Sequence, residues 1–301
     1  MTDEVKDGLP EGFPFEASGG PDACSGELPA DEIEKSIRKK FKHDLEGKFE
    51  KAVVQYELIE EGDHIAVCIS GGKDSMLMAK LFQEIKRHNK FPFSLSFLCM
   101  DPGYLPANRA LIEHNSKVLG IPLTIFESPI FNSVYRIEKS PCYLCARMRR
   151  GYLYRQAKEL GCNKIALGHH FDDVIETILM GMLYSGQYQA MMPKLRSTNF
   201  EGMELIRPMY LIREEHIKAW RDYNNLRFLQ CACRFTEENA LASETGNLSS
   251  KRLETKNLIA MLKKTNPQVE KNLFRSTENV VLNKVLGYKI HGEKHSFLDD
   301  Y

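Results

Sequence analysis

Apolar positions along the chain change period several times, and each change marks an element. Residues 64–69, His-Ile-Ala-Val-Cys-Ile, form a short β-branched run with the pattern of a buried strand. Apolar residues then recur at helical spacing, which predicts a helix over 75–88. A second strand over 93–100 ends at Asp101-Pro102-Gly103, and a helix over 106–119 stops at Gly120-Ile-Pro122. Strand 123–126, helix 143–160 closed by Gly161, strand 164–167 and helix 172–184 continue the alternation. This β-α-β-α order predicts an α/β, Rossmann-like fold, a parallel sheet with helices on both faces. Right-handed crossovers place the strand carboxyl ends along one edge, where open α/β sheets bind ligands. Residues 70–75, 100–101 and 168–173 all fall at that edge.

The flanks read differently. Helices over 32–46 and 49–58 carry Lys35, Arg38, Lys39, Lys40, Lys42 and Lys48, a run that suits a solvated face or nucleic acid. Beyond 190 the pattern weakens to a short strand and turn over 205–212, a helix over 213–223, and helical stretches at 250–264 and 267–286. Residues 291–301 give no usable signal. The expected organisation is an acidic disordered tail (1–30), a helical segment (31–62), a nucleotide domain with a cysteine site (63–235) and a helical extension (236–301).

Composition narrows the class. A chain of 301 residues at 43% hydrophobic can bury a sizeable core. No apolar run approaches the ~18 residues of a membrane span. The opening Met-Thr-Asp-Glu-Val-Lys-Asp does not read as a secretory leader, so a cytoplasmic protein is expected. The formal net charge of +0 divides into −9 over residues 1–34 and +9 over the rest. The body is therefore basic enough to bind a polyanion, whereas the Gly- and Pro-rich acidic head has the composition of a disordered segment. Eight cysteines in such a chain point to reduced thiols, metal ligation or catalysis rather than to a disulfide framework.

The sharpest motif is Ser70-Gly71-Gly72-Lys73-Asp74-Ser75, at a strand-to-helix turn. The two glycines let backbone approach a ligand, and the helix start offers unpaired N–H groups and partial positive charge, a geometry that binds phosphate. Ser70 and Ser75 add hydroxyls and Lys73 adds charge. The spacing does not match a Walker A loop, which needs G-x-x-x-x-G-K-[ST]. Gly168-His169-His170 precedes the paired carboxylates Asp172 and Asp173, which suit Mg²⁺ or a catalytic role, with helix capping as the plain alternative. Cys142-x-x-Cys145 opens a predicted helix, and Cys231-x-Cys233 follows about ninety residues later. Three thiolates would leave an iron–sulfur cluster with one open iron, four would close a zinc site, and thiol chemistry without metal is the third reading. Arg147, Arg149 and Arg150 follow the first pair; on a helix Arg147 and Arg150 share a face and Arg149 points elsewhere. Cys68 and Cys99, in predicted buried strands, read as packing residues.

Taken in order, S-G-G-K-D-S, P-C-x-x-C-x-x-x-R-R-G at 141–151, L-G-H-H-x-D-D-x-x-E-T at 167–177 and I-R-P-M-Y-x-x-R-E-x-x-I at 206–217 resemble the tRNA 2-thiocytidine synthetase (TtcA) family. The first motif alone resembles the pyrophosphate loop (PP-loop) of N-type ATP pyrophosphatases. The resemblance implies ATP and Mg²⁺ at residues 70–75, with Lys73, Asp172 and Arg149 catalytic. It further implies nucleotide contacts from Met100, Asp101, Gly168, His169 and Asp173. It implies adenylation of the C2 oxygen of a cytosine in the tRNA anticodon loop, then displacement of AMP by sulfur. A [4Fe–4S] cluster held by Cys142, Cys145 and one of Cys231 or Cys233 would carry the sulfide. The family's second pair is usually C-x-x-C, and here it is C-x-C. A tRNA substrate, a sulfur donor such as a cysteine desulfurase or free sulfide, and a homodimer are the partners such enzymes imply. A zinc-containing ligase of the same superfamily and a non-catalytic ATP-binding iron–sulfur sensor are the competing readings.

Overall fold

Strand β1 (His64–Ile69) is the middle of the molecule because it is apolar on both faces, as a central parallel strand must be. The computed structural model describes residues 26–88, 92–128, 141–229, 251–299 and 301, without the side chains of 141–146. On one side β1 pairs in parallel with β2 (Ser94–Asp101), which pairs with β3 (Leu123–Glu127). On the other side β1 pairs with β4 (Lys164–Ala166), which pairs with β6 (Glu204–Ile206). The short β5 (Lys194–Arg196) closes that edge antiparallel to β6. The sheet order β3-β2-β1-β4-β6-β5 reverses direction between β1 and β4. That switch point is where the ends of two parallel strands splay apart and leave a crevice.

Two amino-terminal helices, α1 (Ala30–Arg38) and α2 (Gly47–Gln55), are joined by a π turn at Lys42–Glu46. They bury Ile33, Ile37, Phe41, Leu45 and Phe49 in the same cluster as β1. The even periodicity over 32–46 gave one unbroken helix; the extra-wide turn seats Phe41 and Leu45 together in that cluster. Helix α3 (Lys73–His88) is buried around most of its circumference, α4 (Pro106–Val118) starts with proline at its first turn, and α5 (Pro141–Glu159) returns to β4. Helix α6 (Phe171–Ser185) ends at Gly186 in the left-handed region, and α7 (Glu214–Tyr223) buries Trp220 and Ile217.

Helices α8 (Lys251–Thr265) and α9 (Val269–Ser276) pack on α6. The second stops ten residues short of the predicted end at 286. After it come a 3₁₀ turn and the antiparallel hairpin of β7 (Gly287–Ile290) and β8 (Glu293–Ser296), reversed through His291 at φ 50° and Gly292 at φ 91°. Among the described residues no helix is long and apolar enough to cross a membrane.

Candidate active site at the sheet switch point

The loop between β1 and α3 is tied to itself. The Ser75 hydroxyl accepts the Ser70 N–H at 3.1 Å, lies 3.2 Å from the Ser70 hydroxyl and donates to the Gly72 carbonyl at 3.0 Å. Gly71 sits at φ +84°, and a Cβ there would come within 2.6 Å of Ile112. Position 71 thus requires glycine on both conformational and steric grounds. Gly168, at the end of β4, comes so near the loop that a Cβ would lie 3.2 Å from the Ser75 nitrogen. The two strand ends flanking the switch point therefore touch, and they do so through a glycine.

The loop faces a cleft of about 800 Å³. Ser70, Gly72, Lys73 and Asp74 form one wall, Glu214 and Lys218 of α7 the second, and Leu226, Phe228 and Leu229 an apolar third. The Leu229 N–H donates to the Gly71 carbonyl at 3.3 Å, fixing that third wall to the loop. Lys73 Nζ lies 3.0 Å from Asp74 and 3.2 Å from Glu214. Glu214 also meets Lys218 at 3.0 Å and Lys256 at 2.7 Å. Burial opposes its ionisation, but the three ammonium groups outweigh burial and hold its carboxyl below the usual range. Asp74 Oδ1 is buried without a hydrogen-bond partner and faces His170 Nε2 at 3.8 Å.

The paired aspartates are occupied. Arg213 grips both oxygens of Asp172, at 3.1 and 3.3 Å, and the Glu214 N–H donates to it at 2.7 Å. Arg213 turns as well to Glu270 of α9 at 2.6 Å. Asp173 accepts the His170 N–H at 3.0 Å, capping α6, and pairs with Arg252 of α8 at 2.6 Å. Burial would raise the Asp173 pKa, yet His170, Arg252 and the backbone bond bring it down. His169 goes the other way: burial first, then the nearby Arg207 guanidinium, lower its pKa to about 4, so the ring is neutral at physiological pH.

A PP-loop domain model matches residues 41–233. The chain is 34% identical over 256 residues to tRNA-cytidine(32) 2-sulfurtransferase of Anaeromyxobacter dehalogenans (strain 2CP-C), covering 83% of this chain and 84% of that one. It is 33% identical over 250 residues to the enzyme of the same name from Polaromonas naphthalenivorans (strain CJ2), covering 81% and 75%. The chain belongs to the PP-loop family, among the tRNA 2-thiocytidine synthetase-like sulfurtransferases. Its fold is that of the U34-tRNA thiolase NcsA from Methanococcus maripaludis, solved with its [4Fe-4S] cluster, at a TM-score of 0.62, 22% identity and coverage of 84% of this chain and 82% of that one.

Within this family fold the remaining sequence candidates are distributed as follows. Gly71 packs beneath the cleft and Ser75 holds its floor. Met100 is 1% exposed and packs with Leu98 and Leu153, so its side chain is part of the core. The Asp101 carboxylate folds the turn after β2 by accepting the Gly103 and Tyr104 N–H groups, and pairs with Arg109 at 3.0 Å. It lines a neighbouring cavity of about 610 Å³ with Tyr104, Arg109 and Ser128 rather than the cleft at the loop. Arg149 donates to the Tyr104 hydroxyl at 3.3 Å.

Cys142 and Cys145 lie in the first turns of α5; their side chains, with Cys231 and Cys233, fall outside the described residues. Among the described residues no group of three or more His, Cys, Asp or Glu has metal-holding geometry. Cys68, Cys99 and Cys162 are buried free thiols, the first two with pKa pushed to about 12 by burial.

The residues that sequence reasoning left without a role are Arg213, Glu214, Lys218 and Arg252. Arg213 and Glu214 stand inside the fourth motif, whose R-E pair was the available signal. Arg252 had none, because its contact with Asp173 spans 79 residues.

Proposed function

We propose that this chain is an ATP-dependent tRNA sulfurtransferase that converts a cytidine of the anticodon loop to 2-thiocytidine. The observation that supports this reading most is the contact of Gly168 with the phosphate-type loop at the switch point, in a chain whose full-length relatives are named for that reaction. ATP fits the cleft: the opening N–H groups of α3 and Lys73 face the phosphates, and Leu226, Phe228 and Leu229 offer an apolar wall to the base. Glu214 holds Lys73 in place until phosphate oxygens displace it.

Mg²⁺ fits Asp74 better than the aspartate pair. Asp74 Oδ1 is a buried carboxylate oxygen with no donor, while Asp172 and Asp173 already serve arginines and backbone. One carboxylate suffices for an ion that keeps water and phosphate oxygens as its other ligands. In this reading Asp172 positions Arg213 and the start of α7.

For adenylation, the C2 oxygen of the base attacks the α-phosphorus and pyrophosphate leaves; sulfur then adds at C2 and the oxygen departs on AMP. Neutral His169, next in the chain to Gly168, can accept the proton that hydrosulfide carries as it adds at C2. Cys142, Cys145 and one of Cys231 or Cys233 are the donor set for a [4Fe–4S] cluster. The first pair lies one helical turn apart at the start of α5, and the chain toward the second departs from Leu229, bonded to Gly71. A cluster held there would supply the sulfide, itself drawn from a cysteine desulfurase or free sulfide.

The test is nucleoside analysis of tRNA from cells lacking this chain. We expect 2-thiocytidine to be missing, restored by the wild-type chain and not by Cys142→Ala, while purified Cys142→Ala keeps its ATP affinity within about twofold. Normal 2-thiocytidine in the deletion strain would overturn the reading.

A further inference from the structure

A third cavity, of about 540 Å³, opens between α5 and the segment joining β5 to β6, away from the loop at 70–75. Arg147, Arg150 and Arg196 line it with Ser197, Thr198 and Asn199, and among the described residues no acidic side chain is in its walls. Arg147 and Arg150 stand one turn apart on α5 and make no ion pair among the described residues, whereas Arg149 between them turns away to Tyr104. Arg196 is 92% exposed and shares Glu204 at 3.6 Å with two lysines, so it is the loosest of the three. The floor is Tyr154 stacked on Phe200, ring centres 5.1 Å apart and 13° from parallel.

Behind this floor lies Arg207, only 5% exposed. Its Nη1 donates to the Met192 carbonyl, its Nε has no partner, and no carboxylate pairs with it among the described residues. A buried guanidinium with no carboxylate in hydrogen-bond reach keeps a donor free for an anion that arrives from outside. Its electrostatic neighbours are Tyr210, Arg150, Tyr154 and Asp173, and neutral His169 lies within its field on the side of the active site. Arg207 thus stands between the cavity and the residues that follow β4.

We propose that this cavity binds the phosphodiester backbone of the single-stranded substrate loop, with Arg147 and Arg150 holding phosphate and Arg207 drawing the strand toward His169. The assignment rests on the tRNA reading above and adds where the RNA is held. Two features favour RNA. The donors are planar guanidiniums suited to bidentate phosphate contact. Ser197, Thr198 and Asn199 supply hydroxyl and amide groups of the kind that meet sugar and phosphate.

The experiment compares the wild-type chain with Arg147→Ala/Arg150→Ala, measuring affinity for unmodified tRNA against salt and, separately, affinity for ATP. Both arginines are exposed, so the fold and the ATP affinity are expected to hold within about twofold. We expect tRNA affinity to fall at least about tenfold and the salt slope to shrink by about 1.5 to 2, as two lost phosphate contacts require. Unchanged tRNA affinity and slope would overturn the pocket assignment while leaving the tRNA reading intact. A wild-type chain that binds no tRNA would overturn both, as would retention of poly-glutamate in place of tRNA, which would mark a site for an acidic protein.

Discussion

The cleft at the loop and the cavity on α5 treat charge in opposite ways. At the loop, Lys73 is matched by Asp74 and Glu214, Glu214 by three lysines, and Asp172 by Arg213. In the cavity on α5, the arginines meet almost no acid. Matched ions fix side chains at defined positions before a ligand arrives, which is what a reaction at one phosphorus atom needs. Unmatched ions raise the local potential and attract a long polyanion, at the expense of strong sensitivity to salt. The difference separates where chemistry is set up from where a large substrate is gripped.

That separation has consequences that can be measured. Lys73→Ala removes the cation facing the phosphates, and turnover should fall about 10²- to 10³-fold, the usual effect of removing one charge-stabilising donor. Its tRNA affinity should stay within about twofold. A comparable loss of tRNA binding would merge the two cavities into one site.

His169 lies between the regions and gives a pH signature. Its folded pKa of about 4 is below the ordinary ~6.5, so between these values the unfolded chain takes up a proton that the folded ring refuses. Stability is therefore complete above about pH 6.5 and falls as pH drops toward 4, by roughly 2 kcal/mol after allowing for solvent at its partly exposed ring. Denaturant titrations at both pH values would show this drop in the wild type and a flatter profile in His169→Gln.

Glu214→Gln comes next in size. It releases Lys73, Lys218 and Lys256 from their shared partner and should cost about 1 kcal/mol, or 2–4 °C in Tm. Because the Glu214 carboxyl is held low, the wild-type advantage should persist above pH 5 and fade only as acid protonates it. A variant equal to wild type in both stability and KM for ATP would show that Glu214 does not position Lys73.

How much of this was readable in advance follows from the range of the interactions. The strands at 64–69 and 94–101 and the loop between them and α3 follow from local period and glycine chemistry, and they stand within a residue or two of expectation. The short β5, of three residues with Leu195 and Arg196 exposed, had too little apolar signal to register. The hairpin at 287–296 was missed because its turn residues, His291-Gly292, carry one glycine and the strands alternate Lys, His and Glu. At the site, the bonds among Ser70, Gly72 and Ser75 were legible because they fall within six residues of each other, whereas the approach of Gly168 to Ser75 depends on the tertiary fold. The roles of Arg213, Arg252 and Arg207 were not, since each depends on a partner, or on the lack of one, brought together by the tertiary fold. The aspartate pair shows the same limit: its spacing said nothing of Arg213 and Arg252, which meet it only in the tertiary fold.

A single-turnover reaction tests the whole scheme at once: anaerobically purified wild-type chain, unmodified tRNA, ATP, Mg²⁺ and sulfide, quenched and analysed for nucleosides and nucleotides together. The predicted result is 2-thiocytidine and AMP formed in equal amounts, with pyrophosphate and only when ATP is present. AMP and pyrophosphate formed without any thionucleoside, or thionucleoside formed without ATP, would contradict it.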